Sequence, residues 1–144
     1  MTPRELFDET MRYRSFISTG GVTLSGGEPL GQAAFVREYF SLCHAEGIHT
    51  ALDTSGIYCN ADALAALDYT DLVLLDIKTM DSTLYKRLTG QEQNNNLRFL
   101  DELQSRGIDT WVRHVVVPGL TDDDKWLHEL GRYVASRDVV KKIE

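Results

Sequence analysis

The sequence has no apolar run near the roughly 20 residues that cross a bilayer, which argues against a membrane-spanning helix. Cysteine is scarce: only Cys43 and Cys59 occur, too isolated for a disulfide scaffold or a metal-ligand motif of their own. Basic residues are the minority, with 15 Lys and Arg against 22 Asp and Glu for a formal net charge of −7. Nonspecific binding to nucleic acid or to an anionic membrane needs a basic face and is disfavoured. The opening stretch MTPRELFDETMRYR carries acids and bases together on an amphipathic pattern, unlike a secretory signal or transit peptide. The expected location is cytoplasmic. Internal repeats, low-complexity tracts and linkers are also absent.

What is there reads as one globular domain over residues 1–144, with 42% hydrophobic and 26% charged residues. Helical spacing of Leu6, Met11, Tyr13, Phe16 and Ile17 predicts a helix over Pro3–Ile17, capped by Thr2, with Pro3 in its first turn. VTLS is a short strand. Phe35, Val36, Tyr39, Phe40 and Leu42 predict a helix over Gln32–Ala45 that buries Cys43. IHTALDTSG is a strand and turn, and Asp62–Leu67 a short helix. DLVLLDIK is the clearest strand, and its near-continuous apolar run predicts burial on both faces, as in a parallel sheet. Helices over Asp81–Leu88 and Leu97–Arg106 follow, then a strand TWVRHVVVPG, a helix over Asp122–Arg137 and a last strand in VVKKIE. The alternation implies a parallel sheet covered by helices, doubly wound or barrel-like.

Ligands of parallel α/β folds lie at the C-terminal ends of the strands, so polar residues there are informative. Successive strands end in Ser25-Gly26-Gly27-Glu28, in Asp53-Thr54-Ser55-Gly56 and in Asp76 with Lys78, and the fourth carries Arg113. Strand alternation puts Leu74, Asp76 and Lys78 on one face, and likewise Asp53 and Ser55. Each group also has a plain reading: a tight turn at the glycines, an Asx turn at Asp53, a mutual pair of Asp76 with Lys78, a snorkelling Arg113. Four strands placing charge at one edge favour convergence on a shared cavity. Asp53, Thr54 and Asp76 also offer oxygens for a hard cation, sodium, potassium or magnesium, with plain hydrogen-bonded carboxylates as the alternative. The histidines, His44, His49, His114 and His128, are scattered and read as surface or packing residues.

SGGEPL, ALDTSG, LVLLDIK and VRHVVVPGLTDDD, in this order and with YRSF near the start, closely resemble the radical S-adenosylmethionine enzymes that activate pyruvate formate-lyase. The resemblance covers nearly the entire chain. In that family the glycine-glycine-glutamate turn lines the site for the methionine part of S-adenosylmethionine and contacts its amino group, a role that maps onto Gly26, Gly27 and Glu28. It implies further cofactor contacts by Asp53, Thr54, Asp76, Lys78 and Arg113, of which Lys78 and Arg113 suit the methionine carboxylate. No side chain is assigned a catalytic role. The family's cofactor chelates one iron of a four-iron, four-sulfur (4Fe-4S) cluster, and an electron from the cluster cleaves the sulfonium to a 5′-deoxyadenosyl radical. That radical takes a hydrogen from a backbone glycine of a partner glycyl radical enzyme, here pyruvate formate-lyase or a relative, with an electron donor such as flavodoxin or ferredoxin.

One departure is decisive. The family holds its cluster with three cysteines spaced CxxxCxxC, and this motif does not occur here. The resemblance places the missing strand and loop before Met1 and a further strand beyond Glu144. The expected fold is therefore a partial (β/α) barrel of the radical S-adenosylmethionine type, incomplete at both ends and inactive by itself. A cluster-free module that binds S-adenosylmethionine or a partner is the alternative, and an unrelated α/β enzyme with Asp53 and Asp76 as metal ligands is a third reading.

Overall fold

Thr2 starts the first helix, α1 (Pro3–Met11), through a reciprocal capping box: its hydroxyl accepts from the Glu5 N–H, and the Glu5 carboxylate accepts from the Thr2 N–H. The computed structural model describes all residues 1–144. The single helix expected over Pro3–Ile17 is broken at Arg12 and Tyr13 into α1 and a short α2 (Arg14–Ile17). The break re-aims the chain so that Arg14 reaches the Glu46 carboxylate at 2.5 Å. Then follow β1 (Val22–Leu24), a 3₁₀ turn (Pro29–Gln32), α3 (Ala33–Ala45), β2 (Thr50–Thr54), α4 (Ala61–Ala66) and β3 (Leu72–Asp76). The remaining elements are α5 (Ser82–Thr89), α6 (Asn94–Arg106), β4 (Asp109–Arg113), α7 (Asp124–Ala135) and β5 (Val140–Ile143).

The five strands pair in parallel and in chain order, β1-β2-β3-β4-β5. Right-handed crossovers between consecutive neighbours lay every connecting helix on the same face. This is the arc of a (β/α) barrel; a doubly wound sheet reverses its order at a switch point. Burial follows. Leu52, Val73, Leu75, Ile77 and Val112 are fully buried with Phe40, Phe99 and Leu100 from the helices, whereas Leu72, Leu74 and Asp76 on the inner face are half-buried. The expected burial of β3 on both faces is thus corrected to one face, because no helix crosses to the inner side. Cys43 is fully buried, as expected.

Two boundaries also move by three residues or more, while α7 is shorter than the expected Asp122–Arg137 by two residues at each end. α6 begins at Asn94 rather than Leu97, because its first turn is built of amide residues without an apolar period, two of which, Asn95 and Asn96, bond to the carbonyls of Ile57, Ser55 and Asp76. β4 stops at Arg113, since its partner β3 ends at Asp76 in register with it. Val115, Val116 and Val117, expected in the strand, are exposed in a loop braced by the Thr121 hydroxyl, which accepts from the Val117 N–H and donates to the Val115 carbonyl, both at 2.7 Å.

At the N-terminal edge, Asp71 caps the start of β2: its Oδ2 accepts from the Thr50 N–H at 2.8 Å, and its Oδ1 lies 3.0 Å from His44 Nε2. Burial alone pushes the Asp71 carboxyl up, but the Thr50 N–H, His44 and the Thr50 hydroxyl outweigh it and hold it below its ordinary value. A carboxyl depressed in the folded state contributes stability that is fully present above the unfolded pKa of about 3.9 and is lost as pH falls through the folded value. Asp71→Asn should therefore lose less melting temperature than wild type as pH falls through the acid range. Thermal melts from neutral pH to below that pKa check it; parallel declines would refute the assignment.

Candidate functional site

The C-terminal ends of β1 to β4 enclose a cavity of about 530 Å³ lined by polar residues and glycine alone. Ser25, Gly26 and Gly27 after β1 form one wall, Asp53, Thr54 and Ser55 the next, and Asp76, Lys78 and Arg113 the rest. Seven of the eight expected cofactor residues, Gly26, Gly27, Asp53, Thr54, Asp76, Lys78 and Arg113, therefore line one cavity.

Its charges are arranged as two crossed pairs. Arg113 Nη1 donates to Asp53 Oδ2 at 2.8 Å, spanning from β4 over β3 to β2, so it does not snorkel to the outer surface. Lys78 donates to Asp76 Oδ2, the mutual pair that the sequence also allowed. The second Asp76 oxygen is buried and has no partner in the protein. A buried acceptor at the wall of a polar cavity is suited to an incoming donor such as an ammonium group.

Glu28 is the exception. Its carboxylate accepts from the Thr54 hydroxyl at 2.6 Å, the Ser55 N–H at 2.9 Å, the Ser55 hydroxyl at 2.5 Å and the Leu30 N–H at 3.2 Å. It caps the 3₁₀ turn and ties the β1 loop to the end of β2, from outside the cavity lining. The opening towards the cavity is left to the glycines. Gly26 has φ 130°, which L side chains rarely adopt, whereas Gly27 has no such constraint, and a Cβ on it would meet no protein atom within 4 Å. Nothing in the protein demands glycine at position 27. Gly27→Ala is expected to melt within a few degrees of wild type, so a loss of affinity of roughly tenfold or more for a molecule bound in this cavity would report contact with the wall and not a loss of folding. Equal affinity of the two proteins by calorimetry would show that the wall is not a ligand contact.

Two contributors gave no signal in the sequence. Asn96, fully buried in the first turn of α6, donates to the carbonyls of Ser55 and Asp76. Tyr85 of α5 is fully buried with an unpartnered hydroxyl; burial, and then the negative charges of Asp76 and Glu28, push its phenol up. Both lie in stretches without a motif, and only the contacts across the fold reveal them.

The residues suit the methionine end of S-adenosylmethionine: an orphaned carboxylate oxygen for its ammonium, and Lys78 and Arg113 for its carboxylate. They do not suit an iron–sulfur cluster. Cys43 and Cys59 are both buried in the core on the helical side, and burial raises both thiols. The hard-cation set is adjacent but committed: Asp53 and Asp76 are paired with cations, and the Thr54 hydroxyl donates to Glu28. No group of three His, Cys, Asp or Glu residues is placed to hold a metal ion. No helix is long and apolar enough to cross a membrane.

Comparison with known proteins agrees with this geometry. The chain is 43% identical over 148 aligned residues to the pyruvate formate-lyase 1-activating enzyme of Escherichia coli (strain K12), covering 100% of this chain and 60% of that relative. It is 40% identical to the pyruvate formate-lyase-activating enzyme of Clostridium pasteurianum, of which it covers 61%. The chain thus spans about three fifths of the length of these relatives. Among solved structures, a domain of the pyruvate-formate lyase-activating enzyme from Bacteroides vulgatus ATCC 8482 superposes with TM-score 0.74 at 26% identity, covering 82% of this chain and 73% of that one. Streptococcus suis SuiB bound to S-adenosylmethionine superposes with TM-score 0.78 over 94% of this chain and 31% of its own, at 16% identity, a likeness of fold alone. The family model of the radical SAM superfamily matches residues 1–130, and with the parallel arc and its polar strand-end cavity this establishes that the chain belongs to the radical SAM superfamily.

Proposed function

We propose that this chain is the S-adenosylmethionine-binding part of an activating enzyme for a glycyl radical enzyme, with pyruvate formate-lyase or a relative as partner. The observation that carries the reading is the wholly polar cavity with two crossed ion pairs and a glycine wall at the strand ends. The identity to activating enzymes supports the partner class. When bound with a 4Fe-4S cluster reduced by a donor such as flavodoxin or ferredoxin, S-adenosylmethionine supplies the one-electron chemistry that ends in hydrogen abstraction from a partner glycine. This chain's residues orient it: the free Asp76 oxygen accepts from the ammonium, Lys78 and Arg113 donate to the carboxylate, and Gly26 and Gly27 admit the backbone close to the ligand. Transfer of Arg113 to that carboxylate would leave Asp53 uncompensated, since the ammonium takes the place of Lys78 on Asp76, and sodium, potassium or magnesium is the counter-charge that the oxygens of Asp53, Thr54 and Asp76 would take.

The second reading is a module that binds S-adenosylmethionine or a partner without catalysis, favoured by the burial of both cysteines. Calorimetry with S-adenosylmethionine tests the common core of both. Asp76→Ala is expected to bind at least roughly tenfold more weakly than wild type, while Asp122→Ala, on the exposed loop before α7, binds as wild type does. Equal affinity of all three proteins would remove the cavity assignment.

A further inference from the structure

The first turn of α6 reaches into the ends of two strands at once. Asn96 Nδ2 donates to the Ser55 carbonyl at 2.6 Å and to the Asp76 carbonyl at 3.2 Å. Ser55 follows β2 and Asp76 ends β3, so one buried amide bridges the segments that carry Asp53 and Asp76. Its neighbours repeat the device: Gln93 Nε2 donates to the Thr79 carbonyl at 2.5 Å and Asn95 Nδ2 to the Ile57 carbonyl at 3.0 Å. Packing fixes the same turn from below. A Cβ on Gly56, at φ 65°, would lie 2.9 Å from Leu75 and 3.1 Å from Phe99 of α6.

The orientation of the Asn96 amide follows from its surroundings. Two carbonyl oxygens face it, so a flipped amide would set oxygen against oxygen, and the nitrogen belongs on that side. An apolar side chain of similar size would fill the space without the stranded Asn96 oxygen, but it would take this donor from the Ser55 and Asp76 carbonyls. An amide at this place is explained by what it holds, not by the volume it occupies.

We propose that Asn96 is a positioning residue of the cavity: by holding the Ser55 and Asp76 carbonyls together it sets the spacing between the Asp53–Arg113 and Asp76–Lys78 pairs, and with it the affinity of the site. The inference rests on the cofactor reading above for the identity of the ligand. Asn96→Asp tests it, because it keeps the volume but replaces the donor with an acceptor facing two carbonyls. Without any ligand, the carbonyl ¹³C resonances of both Ser55 and Asp76 should move in this variant. If neither moves, the bridge does not exist and the inference falls, whatever the cavity binds.

With ligand, Asn96→Asp should bind S-adenosylmethionine roughly tenfold more weakly, the net worth of a lost buried hydrogen bond. Asn96→Thr, which keeps one hydroxyl donor and guards against a misfolded aspartate variant, should fall between. Leu130→Ala, a core truncation in α7 outside the cavity lining, should stay within about twofold of wild type below its unfolding temperature. Equal weakening in Leu130→Ala and Asn96→Asp would mark a general loss of stability and overturn the proposal, as would wild-type affinity in Asn96→Asp. A wild-type chain that binds no S-adenosylmethionine would fail the cofactor reading alone, and the carbonyl resonances would still decide the bridge.

Discussion

Glu28→Ala is expected to lower folding stability by about 2–4 kcal/mol and to abolish measurable S-adenosylmethionine binding. The carboxylate takes four hydrogen bonds from three residues, and Thr54, one of the donors, is 3% exposed, so water cannot replace the lost acceptor there. Ser55 is half-buried and can recover solvent, which keeps the total below the sum of four charge-assisted bonds. The effect on binding follows from position. Without the carboxylate the glycine wall after β1 is no longer tied to the end of β2, and the two walls of the cavity part. Glu28→Gln, which keeps one acceptor oxygen, should lie between alanine and wild type. Urea unfolding and calorimetry check both halves; an unchanged urea midpoint in Glu28→Ala would dispose of the tie, and lowered stability with intact binding would separate the tie from the cavity.

The same residue shows how far the sequence could be read. That a carboxylate sits where a strand meets two glycines is legible at positions 26–28, and the strand-end rule rightly gathers Asp53, Asp76, Lys78 and Arg113 at one edge. Which way Glu28 points is not legible, because its partners are Thr54 and Ser55, a strand and a helix away in the chain. Sequential strand order decides the barrel arc over the doubly wound sheet, and no local pattern encodes that order. The run Val115–Val117 has the composition of a strand, yet a strand lasts only as long as its neighbour, and β3 ends in register with Arg113. Asn94, Asn95 and Asn96 have poor intrinsic helix preference, so the head of α6 looked like loop; the Asn95 and Asn96 amides bond across the fold to the carbonyls of Ile57, Ser55 and Asp76, a tertiary gain that overrides propensity.

The largest functional effect expected is an absence of chemistry in this chain alone. Anaerobic treatment of the 144-residue chain with iron and sulfide should assemble no 4Fe-4S cluster and, with reductant and S-adenosylmethionine, yield no 5′-deoxyadenosine. A cluster needs several thiolates converging on its irons. Cys43, in α3, is completely buried, Cys59 is 8% exposed, and both belong to the core packed against the helices. Burial raises both thiols, which favours the protonated form that does not ligate. Neither residue lines the strand-end cavity. Cys43→Ser with Cys59→Ser should accordingly leave S-adenosylmethionine affinity unchanged, although two buried hydroxyls will lower the melting temperature. A polypeptide that adds a CxxxCxxC loop ahead of residue 1 should gain both cluster absorption and product, because on the function proposed above the cavity residues that orient the ligand belong to this chain. Product from the 144-residue chain without that loop would show that the core cysteines open to iron, and would overturn the separation of ligand binding from cluster binding.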